Sequence, residues 1–401
     1  MATATGSPTF TPPVIQQDIR AQDVVTSGVP WYLWMGALAV TCSSMGGAWD
    51  VAWHRSIGRD TFWTPAHMVI YACGVLAGIV GLWLVAQGTF GKDDKVRAVS
   101  VRVLGLRAPL GVFLAGWGGM AMLTSAPFDN WWHAAYGLDV KIVSPPHTLL
   151  MFGVYAVSIG MLLLILSTMN RALEGHHSNF KTLRALLLYV GALMVCEQMF
   201  FLQEATWDIT LHRAASYIAM AAMVPVLLAM LSQASRFRWA ATTISAVYSI
   251  LTIAQILIFP LFHAQPKLGP VFYPVTHLVP TKFPLLILVP SFVLDILWQK
   301  MRACKPWQIA VTSGIVFVLV LVVVQWPFAN FLMSHASQNR FFGTGYFDYG
   351  SRANGFDRMR QFFHPEHGWV LWSGLLRAMF YAMLSTFVGF SAGGWMRGVK
   401  R

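Results

Sequence analysis

Charge is scarce in this chain. Asp, Glu, Lys and Arg make up 11% of its 401 residues, and only 16 residues are acidic, whereas soluble domains carry roughly 25% charge. An ordinary soluble domain is therefore excluded. The four cysteines, Cys42, Cys73, Cys196 and Cys304, stand singly with no CxxC pair. That argues against a disulfide framework and for small apolar packing residues. No Walker loop, HExxH or strand-borne GxGxxG occurs, so nucleotide-driven pump and zinc-protease chemistry find no support. The 20 methionines are scattered and form no consistent MxxM run, which fits packing and not a copper relay.

What the chain has instead is apolar length. Hydrophobic residues reach 56%, in runs near the roughly twenty residues that cross a bilayer as helix. The expected fold is an all-α, polytopic membrane bundle, because lipid leaves backbone groups no partner but the helix itself. About ten spans are expected, over 29–50, 66–87, 108–128, 147–168, 183–206, 214–232, 240–262, 277–298, 308–327 and 369–393. The organisation follows from these spans. Residues 1–28 form a polar tail with no cleavable signal pattern, 29–327 the bundle, 328–368 a long outer loop, and 369–401 the last span with a basic tail.

The net charge of +12 could suggest nucleic acid, but its distribution does not. Cations gather in alternate connections: Lys92, Lys95, Arg97, Arg102 and Arg107, then Arg171, Lys181 and Arg184, then Arg236 and Arg238, then Lys300, Arg302 and Lys305. The tail adds Arg397, Lys400 and Arg401. Cations accumulate on the cytoplasmic side. The expectation is thus an inner-membrane protein of a bacterium with both termini cytoplasmic, in contact with lipid and with no nucleic-acid partner.

The chemistry is concentrated in a repeated spacing. Asp50 is followed by His54 and then His67; Asp129 is followed by His133 and then His147. Asp and His four apart on a helix share a face, and the later histidine opens the next helix after proline, at Pro65 and at Pro145–Pro146. Each helix pair also carries an aspartate six residues after its first histidine, Asp60 and Asp139, preceded by Gly58 and Gly137. Those aspartates are candidates for orienting imidazoles from outside the ligand shell. One carboxylate and two imidazoles leave coordination positions open. That set suits non-heme iron, and imidazole equally suits copper or zinc. Weaker echoes follow. Asp208 and His212 repeat the Asp-x3-His step, with Glu204 one turn earlier, and His263 with His277 repeat the longer step without an aspartate. His54, His67, His133, His147, His212, His263 and His277 all map to the outer side, and ionisable groups near membrane depth are usually functional. The HPEH stretch with His364 and His367 reads as a surface loop able to cap that side or receive a partner. His176 and His177 read as solvated loop residues, and Asp295 as interfacial.

Residues 47–72 resemble the C-type membrane subunit of the particulate methane and ammonia monooxygenases, the copper membrane monooxygenase family. The shared elements are Asp50-x3-His54, Arg59–Asp60–Thr61, and Thr64–Pro65 followed by His67. The resemblance implies copper at Asp50, His54 and His67. It also implies partner subunits supplying electrons, since the family places its soluble copper domain in another subunit. The expected function is a copper-dependent oxygenase, or a subunit of one, acting on a small apolar substrate at the outer membrane face. Two alternatives stand beside it: a metal-ion binding or transport protein using the same ligands, and a non-catalytic subunit of a membrane complex. Few polar groups line the spans for transport, chiefly Glu197, Gln198 and Gln203 in the fifth and Gln255 in the seventh.

Overall fold

The computed structural model describes residues 28–58, 60–92, 94–137, 144–203, 205–267, 275–342 and 355–401. Long helices dominate. They are α1 (Trp31–Ser56), α2 (Pro65–Thr89), α4 (Leu110–Tyr136), α5 (Pro145–Glu174), α6 (Phe180–Leu202), α7 (Ala214–Ser235), α8 (Ala240–Ile258), α9 (Leu288–Lys300), α10 (Pro306–Leu332) and α12 (Gly368–Met396). Short helices α3 (Asp94–Ala98) and α11 (Gly355–Arg360), and a two-stranded hairpin of β1 (Val101–Val103) with β2 (Leu106–Ala108), lie between them. Eight of the helices are long and apolar enough to cross a membrane, so the chain is an all-α integral membrane protein.

Two of the ten expected spans take a different form. Helix α1 has the length, at 26 residues, but Thr41, Ser43, Ser44, Asp50, His54 and Arg55 dilute its apolar character. The span expected over 277–298 is helical only over Leu288–Lys300. Pro280 and Pro284 explain this, because proline inside a helix removes a donor and clashes with the preceding turn.

The chain divides into two compact units. The first holds the described residues through His54, then Gly58–Met194 and Val399–Arg401; the second holds Arg55–Ile57 and Val195–Gly398. In the first unit α4 packs closely on α5 and on α2. A Cβ added at Gly118 would lie 2.6 Å from the Gly153 carbonyl oxygen, and one at Gly119 would lie 2.9 Å from the Gly74 carbonyl oxygen. Only glycine allows backbones that close, a common device between membrane helices.

In the second unit, the non-helical stretch before α9 has its backbone donors met by side chains. Leu285 N–H donates to Tyr248 Oη at 3.1 Å, and Leu286 N–H to Gln325 Oε1 at 3.0 Å. Asp295 on α9, expected at the interface, is buried. It accepts from the backbone N–H of Ala241 and Thr242 at 3.3 and 2.8 Å, which caps the start of α8. Replacing Tyr248 with phenylalanine leaves the Leu285 N–H without an acceptor. It is expected to lower stability by about 1–3 kcal/mol, read from thermal unfolding in detergent; an unchanged unfolding midpoint would refute this role.

Candidate metal centre

The first cluster forms where α1 ends and α2 begins. Asp50 and His54 project from consecutive turns of α1, and His67 occupies the first turn of α2, whose first residue is Pro65. Helix α1 stops because Gly58 adopts φ +88°, a left-handed conformation that glycine enters without steric cost. The loop that follows is tightened by the Thr61 N–H donating to Thr64 Oγ1 at 2.8 Å. It brings Asp60 back over the helix ends.

Four side chains then converge. His67 Nε2 lies 3.1 Å from Asp50 Oδ1 and 3.1 Å from Asp60 Oδ2. His54 Nε2 lies 3.7 Å from Asp50 Oδ2 and 3.5 Å from Asp60 Oδ2. One donor atom from each of the four residues falls within 4.8 Å of all the others. The side chain of His54 is 48% exposed against 14% for His67, so the cluster opens past His54 and is closed on the His67 side.

The second cluster repeats this on α4 and α5. Asp129 and His133 share a face near the end of α4, and His147 sits in the first turn of α5 behind Pro145. Asp129 lies 3.5 Å from His133 Nε2 and 3.5 Å from His147 Nε2. Gly137 ends α4 with φ +85°, as Gly58 ends α1. Asp139, the counterpart of Asp60, lies outside the described residues, as does Arg59 of the Arg-Asp-Thr element.

The hydrogen bonds on the far side of the rings decide what the near side can do. His54 Nδ1 faces the Gly58 carbonyl at 3.2 Å, His67 Nδ1 the Thr61 carbonyl at 2.9 Å, and His133 Nδ1 the Gly137 carbonyl at 3.0 Å. A carbonyl oxygen can only accept, so each Nδ1 carries the proton. In the neutral ring Nε2 then presents a lone pair, and it presents it to carboxylate oxygens. Lone pairs and carboxylates facing each other at these distances repel unless a cation lies among them, either a proton on the ring or a metal ion. Asp50 Oδ1 and Asp129 Oδ1 are buried and receive no well-aligned hydrogen bond, a costly state that a metal ion would relieve. The donor sets fit a first-row transition metal in type and number.

The clusters are neighbours. Asp129 lies within electrostatic reach of Asp60 and His67. The phenol of Tyr71, one turn beyond His67 on α2, lies within reach of Asp50, Asp60 and Asp129. Sequence reasoning passed over Tyr71, although its four-residue step from His67 puts it on the same helix face.

Asp60 has a defined charge state. Burial opposes its ionisation, but the hydrogen bond with His67 and the charges of His54 and His67 outweigh burial and hold its carboxyl below the usual range. Its ionised form is favoured above the ordinary carboxyl value of about 3.9, and that contribution disappears only as pH falls through the lower folded value. A metal ion held here would need its imidazole ligands deprotonated, so acidification should release it. Affinity is expected to fall on the order of tenfold for each pH unit per ligand that competes with a proton. Equilibrium metal competition between about pH 8 and pH 5 measures it, and a flat profile would exclude histidine ligation.

The weaker echoes take other forms. Glu204 lies outside the described residues. Asp208 sits on a short 3-10 turn, Asp208–Thr210; burial raises its carboxyl, opposed by the charges of Lys282 and Arg55. His212 is buried; its Nε2 is 2.7 Å from Asn330 Oδ1, and its ring lies edge-on to Trp326 and Phe363. Burial pushes its pKa down, so it is a neutral, packed imidazole. Neither Asp208 nor His212 joins a group of three metal donors among the described residues. His263 and His277 do meet, with ring centroids 4.6 Å apart, but across a β-bridge and not at a helix-pair junction. The HPEH stretch is structural on one face: Glu366 accepts from the Ala214 N–H at 2.8 Å and caps α7, while Arg213 donates to the His364 carbonyl at 3.2 Å.

The chain is thus a helical membrane protein with, among the described residues, two groups of side chains that could hold a metal ion; no family model, no curated protein and no solved structure matches it.

Proposed function

We propose that this chain is a copper-binding membrane protein of oxygenase type, or a subunit of such an oxygenase, related to the C-type membrane subunit of the particulate methane and ammonia monooxygenases. The observation that supports it is the convergence of histidine Nε2 atoms on carboxylate oxygens at both helix-pair junctions. Asp50, His54 and His67 hold one ion, and Asp129, His133 and His147 hold another. Copper bound in a centre that keeps an open coordination position would supply redox chemistry with dioxygen. Iron remains the alternative that the same donor types accept.

The chain's own residues do the rest. The carbonyls of Gly58, Thr61 and Gly137 fix ring orientation and keep the Nδ1 protons away from the donor edge. The lipid-facing helices admit a small apolar substrate from the bilayer. The alternation of cation-rich connections supports cytoplasmic termini in a bacterial cell, with the clusters on the outer side of its inner membrane. Electrons come from partner subunits.

Metal analysis of gently purified protein, compared with His54→Ala and His133→Ala, tests the reading. About one transition-metal ion should be lost with each substitution, and reductant-dependent oxygen uptake should fall with it. A wild-type protein that holds no transition metal sinks the proposal. Metal flux in liposomes without oxygen uptake would instead identify a carrier.

A further inference from the structure

We propose that Asp60 is a fourth donor of the first cluster, closing it around a divalent cation, and not merely a residue that orients an imidazole. This rests on the metal reading above. A carboxylate that only orients a ligating histidine binds the ring nitrogen that points away from the metal. In both histidines that nitrogen is already engaged: His54 Nδ1 by the Gly58 carbonyl and His67 Nδ1 by the Thr61 carbonyl. Asp60 approaches the opposite edge. Its Oδ2 is 3.5 Å from His54 Nε2 and 3.1 Å from His67 Nε2. Asp50 meets the same two nitrogens at 3.7 and 3.1 Å. The two aspartates therefore take equivalent positions around one central point, one from a helix and one from a loop.

The chemistry of the set changes with the fourth donor. Two neutral imidazoles and two carboxylates carry two negative charges, which balance a divalent ion. Three protein donors leave a position open for an exogenous ligand; four donors close a tetrahedral or square set. The first cluster is then a resident-ion site that excludes small ligands, and the open position that oxygen chemistry needs lies elsewhere. Asp60 also selects oxidation state, since removing one anionic donor disfavours the divalent ion relative to the monovalent one.

The test uses the full chain in detergent, loaded with cupric ion, in a His133→Ala background so that the first cluster alone reports. With Asp60 present, azide at millimolar concentration should leave the Cu(II) paramagnetic-resonance spectrum unchanged. Asp60→Ala should open a position, so that azide shifts the spectrum. Asp60→Asn should change the ligand field without azide and weaken Cu(II) binding more than the roughly 10–100-fold expected of an outer-shell partner, with a smaller effect on Cu(I). If both variants give the parent spectrum and the parent response to azide, Asp60 is no donor and the proposal is overturned, while the site itself stands. If the parent protein takes up no cupric ion, the metal reading has failed and the proposal falls with it.

Discussion

Replacing His67 with alanine is expected to empty the first cluster while leaving the second filled. His67 Nε2 is the shared neighbour of both carboxylates, 3.1 Å from Asp50 and 3.1 Å from Asp60. It is also the least exposed member of the set. Its removal takes away one of two imidazole donors and leaves the two carboxylates with only the more exposed His54 beside them. The loss in affinity should exceed the roughly 10–100-fold associated with outer-shell groups. Metal content should drop by the share that the first cluster holds, with Asp129, His133 and His147 keeping theirs. Equilibrium competition against a chelator of known strength measures both. A His67→Ala protein that binds metal with wild-type affinity and stoichiometry would remove His67 from the ligand set.

The second large effect is expected from Gly118→Leu, which touches no ligand. A Cβ at Gly118 would lie 2.6 Å from the Gly153 carbonyl oxygen, 2.7 Å from the Val157 nitrogen and 2.8 Å from Ala156 Cβ. Two of those are backbone atoms, so the neighbour cannot give by changing rotamer. Helices α4 and α5 must separate, and overpacking of this kind costs roughly 1–3 kcal/mol or more. The second cluster is built from the adjoining ends of those two helices, with Asp129 and His133 on one and His147 on the other. Separation should therefore cost the second cluster its metal and spare the first, which depends on α1, α2 and the loop between them. Site-resolved metal analysis together with thermal unfolding distinguishes the outcomes. Equal retention of both ions would show that the seam does not set the second cluster's geometry.

Much of the site was legible because it follows local periodicity. Asp50 with His54, and Asp129 with His133, lie on consecutive turns because four residues make slightly more than one turn. His67 and His147 open their helices because proline fixes the first helical position. The Asp-x3-His step also has a blind spot: it assumes a helix. At Asp208 the chain forms a 3-10 turn instead, and His212 turns inward onto Asn330 and two aromatic rings. His263 and His277 come together through strand-like pairing that no helical spacing describes.

Spacing alone assigns Asp60 an outer role, because sequence gives its distance along the chain but not the path of the loop. The carbonyls that orient the imidazoles are invisible for a related reason, since any residue can supply one. The shortened helix before Lys300 could have been read from Pro280 and Pro284. The capping role of Asp295 could not, because its partners Ala241 and Thr242 lie more than fifty positions away.

The glycines that end α1 and α4 tie two properties together. At each helix end the same residue turns the chain into the left-handed region and offers its carbonyl to the Nδ1–H of the preceding histidine. Termination of the helix and choice of imidazole tautomer are therefore a single event. Fraying of the last turn would rotate the ring and release its proton preference at the same moment, so a metal ion captured there would act as a clasp on the helix end. Local opening and ligand release would then share one free energy, and the two junctions would be the places where this protein's fluctuations and its chemistry are one equilibrium.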